Sequence, residues 1–230
     1  MKRLVVLTGA GMSAESGLKT FRDAGGLWEG HDIMEVATPQ AFERNPELVL
    51  EFYNQRRKQL LEAIPNDGHH QLRHLENYFD VHVITQNVDD LHERAKSTHV
   101  LHLHGELKKV RSVSNENLIL DWTEDLNIGD LATDGSQLRP HIVWFGEAVP
   151  MLDRAIEITK KADMLVIIGT SMQVYPAASL INFIEPNIPI CFIDPKPSIV
   201  GYYNQNLTII KKKAVDGTRE LVKLLTRQKI

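Results

Sequence analysis

The chain has 230 residues and a formal net charge of -4, with 43% hydrophobic and 24% charged residues. This length allows one well-buried core with a smaller lobe, and the weak negative charge argues against general binding of nucleic-acid phosphates. No apolar run approaches the roughly 20 residues that span a bilayer, and the N-terminal run, interrupted by Gly9, is too short for a signal peptide; we therefore expect a cytoplasmic protein with no membrane or nucleic-acid partner.

Short apolar runs rich in β-branched residues predict strands along the chain, and helical patterns separate most of them. Hydrophobicity within the runs is continuous rather than alternating, which indicates strands buried on both faces. The predicted class is therefore α/β, a doubly wound parallel sheet with helices on both faces. In chain order the predicted strands are Leu4–Thr8, Val81–Thr85, Val100–Leu103, Ile142–Phe145, Met164–Gly169, Pro189–Ile193 and Leu207–Ile210.

Helices are predicted where a polar capping residue precedes proline, because proline fits the first helical turn. Thr38-Pro39 and Asn45-Pro46 are such starts, and the second helix is expected to extend to about Ala63. Further helical patterns cover Gly68–Phe79, Met151–Lys161, Ala177–Phe183 and Val215–Leu225.

Two segments lack the alternation of strand and helix and predict an inserted smaller lobe. Residues 31–80 contain only helical patterns, and residues 106–138 are polar and loop-like apart from an apolar patch at Leu118–Trp122. Nucleotides bind at the carboxyl edge of such sheets, so we expect the site in the cleft between lobe and sheet domain. The sheet domain is then formed by residues 1–30, 81–105 and 139–230.

The first predicted strand is followed by Gly9-Ala10-Gly11-Met12-Ser13-Ala14, which matches the phosphate-binding pattern G-x-G-x-x-G/A. Glycines let the backbone approach a pyrophosphate, and a helix start offers unpaired amides. A tight turn between strand and helix would give the same pattern. A dehydrogenase would continue with a second strand and an acidic residue about 20 residues on. Residues 15–28 are instead polar and glycine-rich, which predicts a loop that folds over the bound nucleotide.

His99, His102 and His104 form a cluster at the third predicted strand. His102 and His104 share a strand face, so a metal site is one interpretation; a hydrogen-bonded core histidine and a general base are others. The only cysteine, Cys191, lies in a predicted strand, where a thiol is typically inert core. One cysteine excludes an intrachain disulfide and any site with several thiolates.

Five segments along the chain carry motifs: Gly9–Gly17 with Thr20–Asp23, Thr85–His92, Leu103–Gly105, Arg139–Glu147 and Gly169–Ala177. They resemble the signatures of the sirtuin family and occur in the family's order. The resemblance implies a Rossmann-like parallel sheet with an inserted smaller lobe. It also implies an NAD-dependent protein-lysine deacylase that releases nicotinamide and O-acyl-ADP-ribose, with NAD as cofactor and acylated protein lysines as substrates.

The resemblance carries roles to the matched positions. The catalytic residues would be Asn87 and His104, with His104 as the base that takes a proton from a ribose hydroxyl; His92 and His102 would be structural. Residues implied to bind the cofactor are Gly9, Ala10, Gly11, Ser13, Phe21, Arg22, Trp28, Gln86, Asn87, Val88, Asp89, Gly169, Thr170, Ser171, Asp194, Pro195, Lys196 and Ala214. Residues implied to bind the substrate are Ala37, Tyr53, Arg56, Val143, Phe145, Gly146 and Glu147.

The chain departs from the family at a structural zinc site. In the family, two Cys-x-x-Cys pairs between the His-Gly and Arg-Pro motifs bind this zinc. A tetrahedral zinc needs stronger ligands than this chain offers there, so we predict no metal and a small lobe held by apolar contacts. The corresponding positions are Ser112, Asn115, Leu131 and Asp134. The candidates for the apolar contacts are Leu118, Leu120 and Trp122.

Tyr53 and Arg56 lie at i and i+3 of a predicted helix and share a face. A solvated helix surface is the alternative interpretation, which Glu51, Arg57 and Lys58 favour. Together with Ala37, however, the pair resembles the sirtuin branch that removes succinyl and malonyl groups. There the tyrosine and arginine bind the acyl carboxylate, and the small alanine leaves room for a longer chain.

Two rival functions stay open. Transfer of ADP-ribose from NAD to a protein nucleophile shares its first step with deacylation. A non-catalytic sensor of NAD or ADP-ribose would need no base, so Asn87, Asp89 and His104 argue against it. The sequence does not predict the oligomeric state.

Overall fold

The computed structural model describes residues 1–19, 27–28, 30–197 and 206–227, with the backbone alone at 27–28 and 227. The strands are β1 (Arg3–Thr8), β2 (Leu27–Trp28), β3 (His31–Asp32), β4 (Asp80–Thr85), β5 (Val100–His102), β6 (Gly105–Ser112), β7 (Ile119–Asp121), β8 (Leu138–Ile142), β9 (Met164–Ile168), β10 (Ile190–Ile193) and β11 (Leu207–Ile210). The helices are α1 (Ile33–Val36), α2 (Pro39–Arg44), α3 (Pro46–Glu62), α4 (Asp67–Leu75), α5 (Leu91–Arg94), α6 (Leu152–Thr159) and α7 (Ala214–Arg227), with 3-10 helices at Ala10–Met12, Ala14–Ser16 and Ala177–Phe183. None of the helices within these ranges has both the length and the apolar character needed to cross a membrane.

Six parallel strands form the main sheet, in the order β11-β10-β9-β1-β4-β5. β1 pairs with β4 on one side and with β9 on the other. The chain therefore builds one half of the sheet from β4 and β5 and then returns to build the other half from β9 to β11. The strand order reverses between β1 and β9, and a ligand crevice is expected at the carboxyl ends of the strands there.

The main sheet is buried on both faces, as its continuous apolar runs predict. Val5 and Leu7 of β1 point into one apolar cluster, where Ala155 of α6 and Leu180 of the 3-10 helix Ala177–Phe183 pack. Leu4 and Val6 point into the other, which contains residues of α4 and α7. Full burial of one such side chain stabilises the fold by roughly 1.5–3 kcal/mol. The predicted α/β class with helices on both faces is confirmed.

One predicted strand of the parallel sheet is wrong. Ile142–Phe145 does not join that sheet; the observed strand is β8, which ends at Ile142. It pairs with β6 in a separate antiparallel sheet of three strands, in the order β7-β6-β8. The prediction that residues 106–138 are loop-like is wrong for the same reason. β6 carries charged residues at positions that a parallel core strand would not tolerate, and antiparallel sheets can keep one face polar.

The predicted helix starts at capping residues are confirmed. Thr38 Oγ1 accepts a hydrogen bond from the Ala41 amide at 3.1 Å, and Asn45 Oδ1 accepts one from the Leu48 amide at 3.2 Å. α3 ends at Glu62, close to the expected end.

The last helix of the predicted helical insertion, α4, packs on the sheet rather than in the lobe. Leu72 and Leu75 of α4 lie in the same apolar cluster as Leu4, Val6 and, from α7, Leu221. The division of the chain into domains remains a prediction, and this packing favours an insertion that ends before α4.

The positions expected to replace the zinc ligands hydrogen-bond to one another or to their neighbours. Ser112 Oγ donates to Asp134 Oδ2 at 2.6 Å and accepts from the Ser114 and Asn115 amides at 3.0 and 3.1 Å. Asp134 Oδ1 accepts from the Ser136 amide at 2.9 Å. The predicted apolar contacts are present as well, because Leu118, Leu120 and Trp122 pack against a buried cluster that includes Leu50, Val110, Leu126 and Leu138. The sequence predicted the apolar contacts but not the polar network.

Candidate active site

A pocket of about 840 Å³ opens at the carboxyl ends of β1 and β9, where the strand order reverses. The residues predicted to bind cofactor or substrate line this single pocket wherever the structure describes their side chains, and His104 lines it too. Phe21 and Arg22 lie outside the described residues, as does the side chain of Trp28. The structure therefore brings the predicted residues together, and their roles stay predictions that the contacts below support.

The glycines of the first motif allow two loops to touch. The Gly11 amide donates to the Gly169 carbonyl at 2.8 Å, and a Cβ at Gly11 would lie 2.7 Å from the Gly169 Cα. Gly169 itself has a φ of 62°. Close approach of the loops after β1 and β9 thus requires glycine on both sides, and it brings the backbone of the Gly9–Gly11 turn to the pocket wall without intervening side chains at Gly9 and Gly11.

A chain of buried polar groups crosses the base of the pocket. Asn87 Nδ2 donates to the Gly9 carbonyl at 3.0 Å and to Ser13 Oγ at 3.1 Å. Ser13 Oγ in turn donates to Asp89 Oδ2 at 2.8 Å. Burial raises the pKa of the Asp89 carboxyl, and the hydrogen bond from Ser13 opposes that shift. These bonds fix the orientation of all three side chains before any ligand binds.

His104 is held as a neutral imidazole with a defined tautomer. Its Nδ1 lies 3.1 Å from the Gln86 carbonyl oxygen, and since a carbonyl only accepts, Nδ1 carries the hydrogen. Burial lowers the pKa of His104, and the bond to Gln86 opposes the shift. Nε2 is therefore the ring's proton acceptor, which suits a general base.

Gly105 allows the chain to turn directly after His104. Its φ is 79°, and a Cβ there would lie 2.0 Å from the His141 carbonyl oxygen. The turn lets the His104 carbonyl accept the Val143 amide at 3.0 Å. His104 is thereby attached to the segment after β8, which forms one wall of the pocket.

His102 makes the contacts of a structural histidine. Nδ1 lies 3.0 Å from the Asn87 carbonyl oxygen and Nε2 lies 2.7 Å from Glu93 Oε1. Burial works against charge on this ring, but the hydrogen bond and charge of Glu93 overcome it and raise the pKa of His102. With both nitrogens engaged by acceptors, His102 is not placed to share a metal with His104.

Another group of metal-ligating side chains, Asp80, His82 and His99, has atoms within 4.8 Å of one another. It lies at the amino end of β4, away from the pocket. Arg3 pairs with Asp80 Oδ2 at 2.9 Å, and the two imidazole rings are stacked with an interplanar angle of 9°. An imidazole nitrogen binds a metal in the plane of its ring, and two stacked rings have no shared plane in which one ion could lie. The arrangement therefore fits an Arg3–Asp80 ion pair beside stacked histidines better than a metal site.

Tyr53 and Arg56 line the pocket together with Ala37. Tyr53 is fully buried, and its hydroxyl accepts a hydrogen bond from Trp144 Nε1 at 3.0 Å. Burial raises the pKa of Tyr53 to about 12, and the charge of Arg56 acts against this. A phenol that keeps its hydrogen and a guanidinium therefore stand at one end of the pocket.

The expectation that Arg57 lies on a solvated surface is wrong. Arg57 is 1% exposed, and its guanidinium donates to the Leu107 carbonyl at 3.1 Å, to Asn54 Oδ1 at 2.8 Å and to the Glu124 carbonyl at 3.2 Å. The small lobe folds over this side of α3 and supplies those acceptors. The helical pattern alone could not reveal that residues 106–126 bury this side of the helix. Glu51 and Lys58 are exposed, as expected.

Glu147, predicted to bind the substrate, lines the pocket, and neighbouring residues hold its carboxylate. Its carboxylate accepts from Arg139 at 2.7 and 3.1 Å and from the Trp144 amide at 2.7 Å, and Arg111 lies at 3.3 Å. This carboxylate holds the wall of the pocket in place, and the role of Glu147 in binding the substrate stays a prediction. Val143, Phe145 and Gly146 do line the pocket. Trp144, which also lines it, was missed, although the N–H of a buried tryptophan usually finds a hydrogen-bond partner.

The far end of the pocket is polar. Thr170 Oγ1 accepts from Gln86 Nε2 at 3.1 Å, and Asp194 Oδ1 accepts from the Lys196 amide at 2.7 Å. Asp194 is buried. Pro195 and Ala214 complete this end.

Comparisons with known proteins show the family of the chain. A model described as the Sir2 family matches residues 9–176. The chain is 59% identical over 222 residues to an "NAD-dependent protein deacylase" of Helicobacter pylori, with 96% of each chain covered. It is 53% identical over 231 residues to a protein of the same name from Bacteroides thetaiotaomicron, with 98% of each covered.

Two solved structures are similar along nearly the whole chain. A Sir2 homologue in complex with NAD superposes with a TM-score of 0.88 at 40% identity, covering 99% of this chain and 90% of that one. A Sir2 protein bound to an acetylated peptide superposes with a TM-score of 0.79 at 28% identity, covering 97% and 93%.

Proposed function

The chain belongs to the Sir2 family, and we propose that this NAD-dependent protein deacylase removes succinyl and malonyl groups from protein lysines in addition to acetyl groups. The observation that carries the proposal is the position of Tyr53 and Arg56 in the same pocket as His104. The products would be nicotinamide, O-acyl-ADP-ribose and the free lysine.

The lining residues fit NAD. Gly9 and Gly11 let a pyrophosphate approach the backbone closely, the Ser13–Asp89 pair suits a polar ring substituent, and Asp194 suits sugar hydroxyls. When bound, NAD supplies a ribose anomeric carbon from which nicotinamide can depart. Asn87 and Asp89, fixed by Ser13, would orient the groups around that carbon.

His104 would move the proton. With its hydrogen on Nδ1, donated to the Gln86 carbonyl, Nε2 can take a proton from a ribose hydroxyl. Its lowered pKa keeps the ring neutral at physiological pH, which a base requires. A sensor that only binds the nucleotide has no use for this arrangement.

Arg56 and Tyr53 would select the acyl group. A guanidinium pairs with a carboxylate through two parallel hydrogen bonds, and the Tyr53 hydroxyl can add a third donor. Charge-assisted hydrogen bonds in a largely dry pocket contribute about 1.5–3 kcal/mol, or roughly a tenfold to hundredfold preference. The small side chain of Ala37, which is 2% exposed beside them, leaves room for the longer chain.

The test compares matched peptides that differ only in carrying succinyl-lysine or acetyl-lysine. The wild type should have the higher kcat/KM on the succinyl peptide. Arg56→Met should lose far more succinyl than acetyl activity. Lys58→Met is the matched control, since Lys58 lies on the same helix with a side chain 60% exposed and paired with Asp125. Equal losses of both activities in Arg56→Met, or a wild type that prefers acetyl-lysine, would contradict the proposal.

A further inference from the structure

Trp144 connects the Arg139–Glu147 segment to helix α3 inside the pocket wall. Its side chain is 2% exposed, and its Nε1 donates to the Tyr53 hydroxyl at 3.0 Å. An indole has one N–H donor and no acceptor. The bond therefore uses a lone pair of the Tyr53 oxygen and leaves the hydroxyl hydrogen uncommitted. Among the described residues, the Tyr53 hydroxyl donates no hydrogen bond.

Trp144 is itself held in place on several sides. The Arg139 guanidinium carbon lies 3.3 Å from the centre of its ring, and Phe42 packs with ring centroids 5.4 Å apart. Glu147 pairs with Arg139 and accepts the Trp144 backbone amide. Arg139 stacks on the indole ring, and Glu147 holds the Trp144 backbone. Together they keep the indole N–H directed at the Tyr53 hydroxyl.

We propose that Trp144 is a positioning residue for acyl-chain selection: its indole N–H fixes the Tyr53 hydroxyl as a hydrogen-bond donor towards an acidic acyl group. This inference rests on the proposed removal of succinyl and malonyl groups. A hydroxyl whose oxygen already accepts one bond can rotate its hydrogen over fewer directions, so less ordering is needed when a carboxylate binds. Burial, which raises the pKa of Tyr53 to about 12, keeps the hydrogen on the oxygen at neutral pH.

The test is Trp144→Phe, which keeps an aromatic ring for Arg139 to stack on and removes the donor together with part of the buried ring volume. The ratio of succinyl to acetyl kcat/KM should fall about threefold to tenfold, the scale of one neutral hydrogen bond. The loss should fall on KM, because the interaction is made in the bound substrate as well as the transition state. On a Tyr53→Phe background, Trp144→Phe should change the ratio no further.

Trp122→Phe is the matched control. The Trp122 Nε1 is buried without a hydrogen-bond partner among the described residues, and this side chain does not line the pocket, so the ratio should stay at the wild-type value. The Trp144 indole resonance in a proton–nitrogen NMR spectrum should shift in Tyr53→Phe while that of Trp122 stays. This readout does not depend on activity and shows whether the bond forms in solution.

The outcomes separate the two ideas. A wild type that prefers acetyl-lysine overturns the proposed function and this inference with it. A wild type that prefers succinyl-lysine, with a ratio unchanged by Trp144→Phe, overturns the inference alone. So does a ratio that falls equally with and without the Tyr53 hydroxyl, because Trp144 would then act through packing only.

Discussion

At the scale of single residues, the proposed chemistry depends on which nitrogen of His104 carries the hydrogen. The Gln86 carbonyl decides this, since it accepts from Nδ1. A sequence shows that a histidine precedes Gly105, but not the tautomer, because the acceptor comes from a backbone atom 18 residues away. The family motif identified the residue, and the structure supplies the reason that it can act as a base.

We predict that His104→Ala abolishes deacylation while the protein stays folded. Loss of a general base typically costs about 10²-fold or more in rate, and the substitution empties little core volume. Steady-state rates and thermal unfolding of the purified variant measure both effects. His70→Ala, at an exposed histidine, is the control. Near-normal turnover in His104→Ala would remove this residue from the mechanism.

Two residues show what the sequence does not reveal at this scale. Arg57 looks like a solvent-facing cation and is buried under the lobe, and the carboxylate of Glu147 is held by Arg139. In both cases the partner lies outside the local pattern. Long-range acceptors and ion pairs decide the direction of a charged side chain, and periodicity does not contain them.

At the scale of elements, the strands of the parallel sheet were predictable because both faces are buried. Their apolar runs are continuous, and all except Ile142–Phe145 fall where the structure has them. The antiparallel strands β6 and β8 were not predicted, because the half-exposed charged residues Glu106, Lys108 and Lys109 interrupt β6 and give it a polar sequence. Where the sheet must keep one face open, the sequence signal is weaker.

The small lobe gives a stability prediction. Ser112 is 1% exposed and its hydroxyl joins Asp134 to two backbone amides. Ser112→Ala removes the acceptor of those amides, which belong to exposed residues that water can reach, so the expected cost is that of a net hydrogen bond, about 0.5–1.5 kcal/mol. Denaturant unfolding measures the change, with Ser114→Ala as the control at an exposed serine. An unfolding free energy equal to that of the wild type would show that the network does not hold the lobe.

We also predict that the purified protein contains no stoichiometric zinc and keeps its activity in a strong chelator. The reason is that Ser112, Asn115, Leu131 and Asp134 provide no thiolate. Elemental analysis reports the metal content directly. One zinc per chain would refute the prediction and direct the search to the histidines.

At the scale of the whole molecule, two buried histidines join the elements around β1. The rings of His69 and His92 lie 4.8 Å apart; His92 Nε2 lies 3.1 Å from Thr8 Oγ1, and His69 Nδ1 accepts from the Asn66 amide. Burial, with a smaller effect of His70, lowers the pKa of His69 to about 4. Burial, with the neighbouring His69, lowers that of His92 well below its usual value.

The protein should therefore lose stability in mild acid. Both folded-state pKa values lie below the unfolded value near 6.5, so the unfolded chain binds more protons as the pH falls. Each site then costs about 1.4 kcal/mol of unfolding free energy per pH unit below 6.5, down to its folded pKa. Denaturant unfolding at pH 7.5, 6 and 5 tests this, and His69→Gln should flatten the slope. An unfolding free energy that is constant over that range would contradict it.

The central claim is that the pocket removes acyl groups from lysine at the expense of NAD. The most direct measurement is mass spectrometry of all products after incubation with NAD and matched succinyl- and acetyl-lysine peptides. The account predicts unmodified lysine, nicotinamide and acyl-ADP-ribose in equal amounts, formed faster from the succinyl peptide. Protein or peptide that carries ADP-ribose while its acyl-lysine stays intact would contradict the claim and identify ADP-ribosyl transfer as the activity.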